Sequence, residues 1–226
     1  MNILNAILQL IFPSQCLVCG KNGAEICSSC LSASPPAGRE SAEWIFPLYD
    51  YRHEPVRDAV CLLKYKNRKK IAEVFAEALY DGIMEEISDL AALENFRTPI
   101  LIPVPLSSKR RRKRGYNQSE LICQHLVNIS GWKVKNMRKD FPHILQIEKN
   151  ALIKTRETEH QACTGSRSER LTNIMGTFVV QNTEAVRGKN IILIDDVVTT
   201  GATLEEARKT LEMAGAMKVI AFTVAH

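Results

Sequence analysis

Residues 191–204 read IILIDDVVTTGATL, and the architecture of the chain follows from them. Ile191, Ile192, Leu193 and Ile194 make a short, fully apolar run, the pattern of a strand buried on both faces of a parallel sheet. Asp195 and Asp196 follow, then Val197 and Val198, then the small-residue turn Thr199-Thr200-Gly201-Ala202-Thr203. From Leu204 the chain reads LEEARKTL, an amphipathic helical pattern. The stretch therefore predicts strand, acidic pair, loop and helix. In open α/β sheets ligands gather at the carboxyl ends of the strands, where this loop falls.

Such a loop suits phosphate. Gly201 permits close backbone approach and angles that a Cβ forbids. The amides from Thr200 to Thr203, Ala202 among them, can converge on one anion, and the helix N-terminus adds positive partial charge. The hydroxyls of Thr199, Thr200 and Thr203 can donate as well. No Lys follows the glycine, so this is not a Walker A loop. Two carboxylates beside a phosphate repel it unless they engage hydroxyls or a bound cation such as Mg²⁺.

An apolar strand, two acids, two apolar residues and T-x-G-x-T resemble the phosphoribosyl-pyrophosphate (PRPP) motif of type I phosphoribosyltransferases. The resemblance implies that Asp195 and Asp196 hold the ribose 2′ and 3′ hydroxyls and that residues 199–203 wrap the 5-phosphate. It implies a type I phosphoribosyltransferase-like α/β fold, a parallel sheet flanked by helices, with PRPP and Mg²⁺ as ligands.

Upstream, residues 98–105 (TPILIPVP) form a second core-strand pattern, ending in prolines that a strand end tolerates. A cationic run, Lys109-Arg-Arg-Arg-Lys-Arg114, comes next as a loop, then Gly115-Tyr116-Asn117-Gln118 and a helix over about 119–127. Pro103-Val104-Pro105 followed by Arg114-Gly115-Tyr116-Asn117-Gln118 resembles the PVP … RGFNQ pattern of the ComF family, competence-associated proteins with a phosphoribosyltransferase-like domain. Lys64-Tyr65 and the N-terminal cysteines match that family too. Where the family often has glycine two residues after Lys-Tyr, this chain has Asn67, the non-glycine residue best able to hold a left-handed turn. Lys64, Arg68 and Arg114 are candidate ligands of the diphosphate, with Lys64 grouped with Asp195 and Asp196 as catalytic. The basic run beside Tyr116, together with the cysteine module, could follow the phosphates of single-stranded DNA while aromatics stack on its bases, and the family resemblance implies DNA uptake during natural transformation, with competence-machinery proteins as partners.

Cys16, Cys19, Cys27 and Cys30 stand as C-x2-C, seven residues, C-x2-C. Two such knuckles can bring four thiolates around one ion, a closed structural site with zinc as its expected occupant. Residues 1–38 are read as this module with a preceding helix, and residues 39–226 as the phosphoribosyltransferase-like domain. The linker is SPPAG at 34–38. Seven cysteines in all, an odd number, fit reduced thiols and metal better than a disulfide framework, and Cys61, Cys123 and Cys163 read as isolated thiols.

The chain has 226 residues, 45% of them hydrophobic, and a net charge of +5, which suits one α/β domain with a small appendage. The basic run alone exceeds the net charge, so local patches matter more than the global balance. Residues 3–12 are apolar but too short to span a bilayer, and a cytoplasmic location is expected. Residues 44–51 predict a strand of a small flanking subdomain over the cleft. Residues 53–63 and 71–87 predict helices, and 88–97 a polar connector. Residues 177–180 and 217–224 predict further strands. Residues 147–173 read equally as a loop that closes over the site and as an exposed charged segment.

Transfer chemistry would displace pyrophosphate by a nitrogen nucleophile at the ribose anomeric carbon. Purine-using relatives place an acid where this chain has Thr199, and a hydroxyl is a poor general base near neutral pH. Three readings stand at this level: a PRPP-binding protein in single-stranded DNA handling, an active phosphoribosyltransferase of nucleotide metabolism, and a non-catalytic PRPP sensor.

Overall fold

The computed structural model describes residues 14–136, 145–155 and 176–226. The expectations for 3–12, for Cys163 and for most of 147–173 lie outside these residues. Elements are numbered in chain order among the described residues.

The apolar run at 191–194 lies within a strand, β6 (Asn190–Val197), at the centre of the sheet. Ile191, Ile192, Leu193 and Ile194 are all fully buried, as a strand covered on both faces requires. Alternation divides them. Ile192 and Ile194 face one apolar cluster, Ile191 and Leu193 the other. Its neighbours are β2 (Ile100–Pro103) on one side and β7 (Lys218–Ala225) on the other, both parallel to it. β1 (Ile45–Tyr49) pairs in parallel with β7, and the short β3 (Gln146–Ile147) with β2, giving the order β1-β7-β6-β2-β3.

Four helices cover one face: α1 (Ser28–Ser32), α2 (Glu54–Tyr65), α3 (Ile71–Glu94) and α5 (Gln118–Asn136) pack their buried residues with Ile192 and Ile194. The other face is covered by α7 (Ala202–Met213), through Leu204, Ala207 and Leu211. A two-stranded antiparallel ribbon, β4 (Leu152–Lys154) with β5 (Phe178–Val180), packs on that side with the one-turn α6 (Thr183–Val186). This is a five-stranded parallel sheet between helical layers, the type I phosphoribosyltransferase-like architecture.

Three local expectations change. Residues 45–49 do not form a flanking subdomain: Ile45 is buried and Phe46 stacks on Phe222 at 5.0 Å, so the segment becomes the edge of the main sheet. Residues 88–94 are not a connector. Ile83, Ile87 and Leu90 remain buried at helical spacing, and α3 runs on until Asn95 stops it in a left-handed conformation (φ 56°). The basic run is not a loop either but a short helix, α4 (Ser108–Arg114). Ser107 caps it by accepting from the Arg110 amide, and Gly115 (φ 81°) ends it. Arg and Lys are good helix formers, and cations in a last turn suit the helix dipole.

The cysteine module is set on this frame. Ile26 and Leu31 are fully buried in the same cluster as α3, and Ser28 Oγ donates to Glu77 Oε2 at 2.7 Å.

Asn67 holds φ 56°, as its place after Lys-Tyr predicts. It ends α2 while the Lys66 and Arg68 amides both donate to the Leu62 carbonyl. Asn67→Gly should therefore leave stability nearly unchanged. Asn67→Val should lower it by about 1–2 kcal/mol in chemical denaturation, because a β-branched residue is strained at positive φ.

Candidate functional site: an acidic pair, a lysine and a phosphate-type loop

At the carboxyl end of β6 the two acids meet a lysine brought from a distant helix. Lys64 lies in the last turn of α2, and its Nζ sits 2.8 Å from Asp196 Oδ1. Asp196 is 3% exposed, and its second oxygen, Oδ2, is buried with no partner among the described residues. Burial alone would lower the Lys64 ammonium, but Asp196 and then Asp195 outweigh it and hold its pKa above the ordinary lysine value. A buried carboxylate with one free oxygen is costly unless something fills the place.

Asp195 is half-buried. Its Oδ1 accepts from Ser119 Oγ and from the Asp196 amide, each at 2.9 Å. Burial pushes this carboxyl up to about 7, and the neighbouring Asp196 adds to the rise, against the pull of Lys64. Two acids in one enclosure with a single cation leave unmet negative charge. Hydroxyl donors or a divalent ion would relieve it, and oxygen ligands of this kind suit Mg²⁺.

The loop beyond them turns sharply at Gly201. Gly201 has φ 75°, and a Cβ there would stand 3.5 Å from Ile45 Cδ1. The Ala202 amide turns to Thr200 Oγ1 at 3.4 Å. The amides of Thr199, Thr200 and Gly201 have no protein partner among the described residues. Thr203 follows in the first turn of α7, whose leading amides are unsatisfied by the helix itself.

The RGYNQ stretch serves mainly to lock helices together. Tyr116 is buried and its hydroxyl donates to the Leu63 carbonyl, one residue before Lys64. Asn117 Nδ2 donates to the Val104 carbonyl at 3.0 Å, and its Oδ1 accepts the Ser119 amide at the start of α5. Arg114 Nη1 donates to Gln118 Oε1, and its guanidinium lies 5.5 Å over the Tyr65 ring. It is thus held beside the Lys64-Tyr65 pair. Arg68 Nε is 3.5 Å from Glu25 Oε1 of the cysteine module, and the side chain is 56% exposed.

Sequence reading missed two contributors. Ser119, directly after the RGYNQ stretch, looks like a helix-start serine, and only the packing of α5 against β6 shows that it bonds Asp195. His226 contacts the Thr199 carbonyl from the end of β7, and no sequence signal marks it.

The four cysteines also come together. All four sulfurs lie within 4.8 Å of one another, and Cys19 and Cys27 are 3.8 Å apart. Metal–sulfur bonds of about 2.3 Å set tetrahedral corners about 3.8 Å apart, so the cluster has the size of a tetrahedral metal site. Cys16 and Cys19 flank a tight turn in which the Gly20 amide donates to the Cys16 carbonyl, and Cys27 and Cys30 sit at the start of α1. Burial raises the Cys16 thiol, but the amides of Cys19, Cys27 and Val18 prevail and bring it to about 6. The neighbouring Cys27 and Cys19 sulfurs push Cys30 up to about 12. Thiols split so far apart share protons in one small cluster, and an ion that takes all four as thiolates removes the conflict.

Parallel sheet, acidic pair and small-residue loop define a phosphoribosyltransferase-type domain, and a profile for the Phosphoribosyl transferase domain matches residues 117–226. The chain is 28% identical to "Competence protein F" of Haemophilus influenzae over 89% of its own length and 81% of that protein. It is 30% identical to "DNA utilization protein YhgH" of Escherichia coli (strain K12), over 85% of this chain and 74% of the relative. Against "Competence protein ComFC" of Bacillus subtilis (strain 168) it is 34% identical over 55% of this chain and 43% of the relative. The chain belongs to the ComF family.

The raised Asp195 has a consequence for stability. Between its unfolded pKa near 3.8 and its folded value of about 7, the native state holds a proton that the unfolded state has lost. Stability in the absence of ligand should therefore fall as pH rises through that window and flatten above it. Asp195→Asn should match wild type near pH 4 and exceed it by about 1–3 kcal/mol at pH 8. Parallel denaturation curves across this range check it.

Proposed function

We propose that the chain binds PRPP with Mg²⁺ and acts in the handling of single-stranded DNA during natural competence, together with proteins of the competence machinery. The observation that carries the ligand reading is the acidic pair: beside Lys64 lies a buried Asp196 oxygen, next to a loop whose amides at 199–201, like that oxygen, have no partner among the described residues. In this reading Asp195 and Asp196 accept from the ribose 2′ and 3′ hydroxyls. Thr199, Thr200, Gly201, Ala202 and Thr203 receive the 5-phosphate. Lys64 and Arg114 stand toward the diphosphate, and Arg68 joins them only by leaving Glu25. Mg²⁺, when bound, neutralises diphosphate charge. Thr199 offers a hydroxyl and no acid, which favours ligand binding over purine-base transfer.

The DNA reading draws on the relatives' names and on α4. Arg112 and Lys113 are exposed on a helix with no acid in its first turn, and Arg111 shares Glu120 with Lys149. Such a surface can follow phosphates while exposed Tyr65 offers an aromatic face. We further read Cys16, Cys19, Cys27 and Cys30 as the ligands of one structural zinc, in a module of residues 1–38 set on a domain of residues 39–226. No described helix is long and apolar enough to cross a membrane.

Calorimetric titration with Mg-PRPP should give binding that weakens by about 2–4 kcal/mol in Asp195→Asn/Asp196→Asn, with folding retained. Unchanged affinity in the double variant would make the loop a structural turn.

Replacing Arg110, Arg111 and Arg112 with Gln should weaken single-stranded DNA binding alike for all sequences. The salt dependence should flatten by about 0.7 for each phosphate that is no longer neutralised, while PRPP affinity changes little. Equal salt slopes would refute the DNA role of α4.

Metal analysis should find about one zinc per chain, absent in Cys27→Ser. Because Ile26 and Leu31 are buried in the main core, that variant should lose on the order of 3–5 kcal/mol of stability. A metal-free protein of full stability would exclude the zinc reading.

A further inference from the structure

We propose that His226 is a positioning residue for the phosphate loop: its imidazole fixes the Thr199–Thr200 peptide so that the Thr200 amide faces the bound anion. The inference rests on reading residues 199–203 as a phosphate loop and adds to it the group that sets the loop's geometry.

Two contacts fix the orientation of the ring. Nε2 lies 3.0 Å from the Thr199 carbonyl oxygen, which can only accept, so Nε2 carries the proton. Nδ1 lies 3.1 Å from Ser41 Oγ and, in the neutral ring, accepts its hydroxyl proton. Flipping the ring would break both contacts. The residue is 8% exposed, so water cannot readily replace them.

The backbone beneath the ring is equally fixed. The His226 amide donates to the Tyr49 carbonyl, and its own carbonyl accepts from the Tyr51 amide, both at 3.0 Å. One residue earlier, the Ala225 carbonyl accepts the Val198 amide at 3.0 Å, just before the loop begins. The ring is therefore held by the ends of β1 and β7 and by the segment carrying Ser41, none of which belongs to the loop itself.

What it holds is a peptide plane. No peptide among the described residues is cis, and in a trans peptide the C=O and the following N–H point to opposite sides. Turning the Thr199 oxygen toward His226 thus turns the Thr200 N–H away from it. That N–H has no protein partner among the described residues. Loops that bind phosphate depend on such amides being aimed before the ligand arrives, since an amide that must first rotate adds an ordering penalty to binding. Thr199 needs the restraint: it is exposed, and it precedes Gly201, whose own backbone is permissive. No other side chain among the described residues bonds the Thr199 carbonyl.

The test uses the full-length protein labelled with ¹⁵N and titrated with inorganic phosphate and with ribose 5-phosphate. In wild type the Thr200 amide resonance should move on titration. His226→Ala should weaken both ligands by about tenfold and abolish most of that movement. His226→Gln, whose amide nitrogen can still donate to the Thr199 carbonyl, should bind within about threefold of wild type. Ser41→Ala, which removes only the ring's second partner, should weaken binding by about two- to fourfold, and it carries the test if His226→Ala fails to fold. Wild-type affinity and an unaltered Thr200 response in His226→Ala would overturn the inference, as would equal losses in His226→Ala and His226→Gln. In the fallback, an unchanged Ser41→Ala overturns it. If wild type binds neither ligand, the phosphate-loop reading itself falls and this inference with it. Loss in His226→Ala alone, with wild type binding normally, supports both.

Discussion

The contact on which the rest depends is the ion pair between Lys64 and Asp196. It joins the end of α2 to the end of the central strand, where the Asp196 side chain is 4% exposed and that of Lys64 19%. A buried pair of this kind adds little net stability over an apolar substitute, yet removing either partner strands a charge. Its value is therefore positional. Several otherwise unrelated features converge on keeping it in place: the left-handed turn at Asn67, the Tyr116 hydroxyl on the Leu63 carbonyl, and the burial of Leu63 itself. The second acid is arranged differently. Asp195 leans on Ser119 and on the amide of its neighbour, so the two carboxylates share a site without sharing partners.

Much of this was legible in the sequence, and the reasons differ by element. Four consecutive apolar residues bounded by acids and a small-residue turn suit a strand covered on both faces, so β6 and the parallel sheet follow directly. The acidic pair and the T-x-G-x-T loop were visible because they stand as distinctive residue types at a fixed spacing. The paired cysteines announced their cluster for the same reason. Lys64 was found only through the family pattern, because nothing local reveals that a lysine at the end of a helix will meet Asp196.

What sequence could not show is long-range. Ser119 and His226 gain their roles from neighbours 76 and 27 positions away, and short polar residues carry no periodic signal. Arg68 pairs with Glu25 of the cysteine module, a contact that only the packing of that module reveals. The basic run was expected as a loop because charge density dominates its appearance. Ser107 and Gly115 are a cap and a stop at helical spacing, and they outweigh it. Residues 45–49 were misplaced because an aromatic, half-exposed strand reads alike at a sheet edge and in a separate flap.

In the proposed function, the end of β6 and the loop after it form one PRPP site. A crystal structure of the protein with Mg²⁺ and PRPP tests this most directly. The 5-phosphate should lie on the amides of residues 199–203, with the Thr200 amide among the donors, and the ribose hydroxyls on Asp195 and Asp196. A phosphate bound outside this loop, with the Asp196 oxygen still unpartnered, would contradict it.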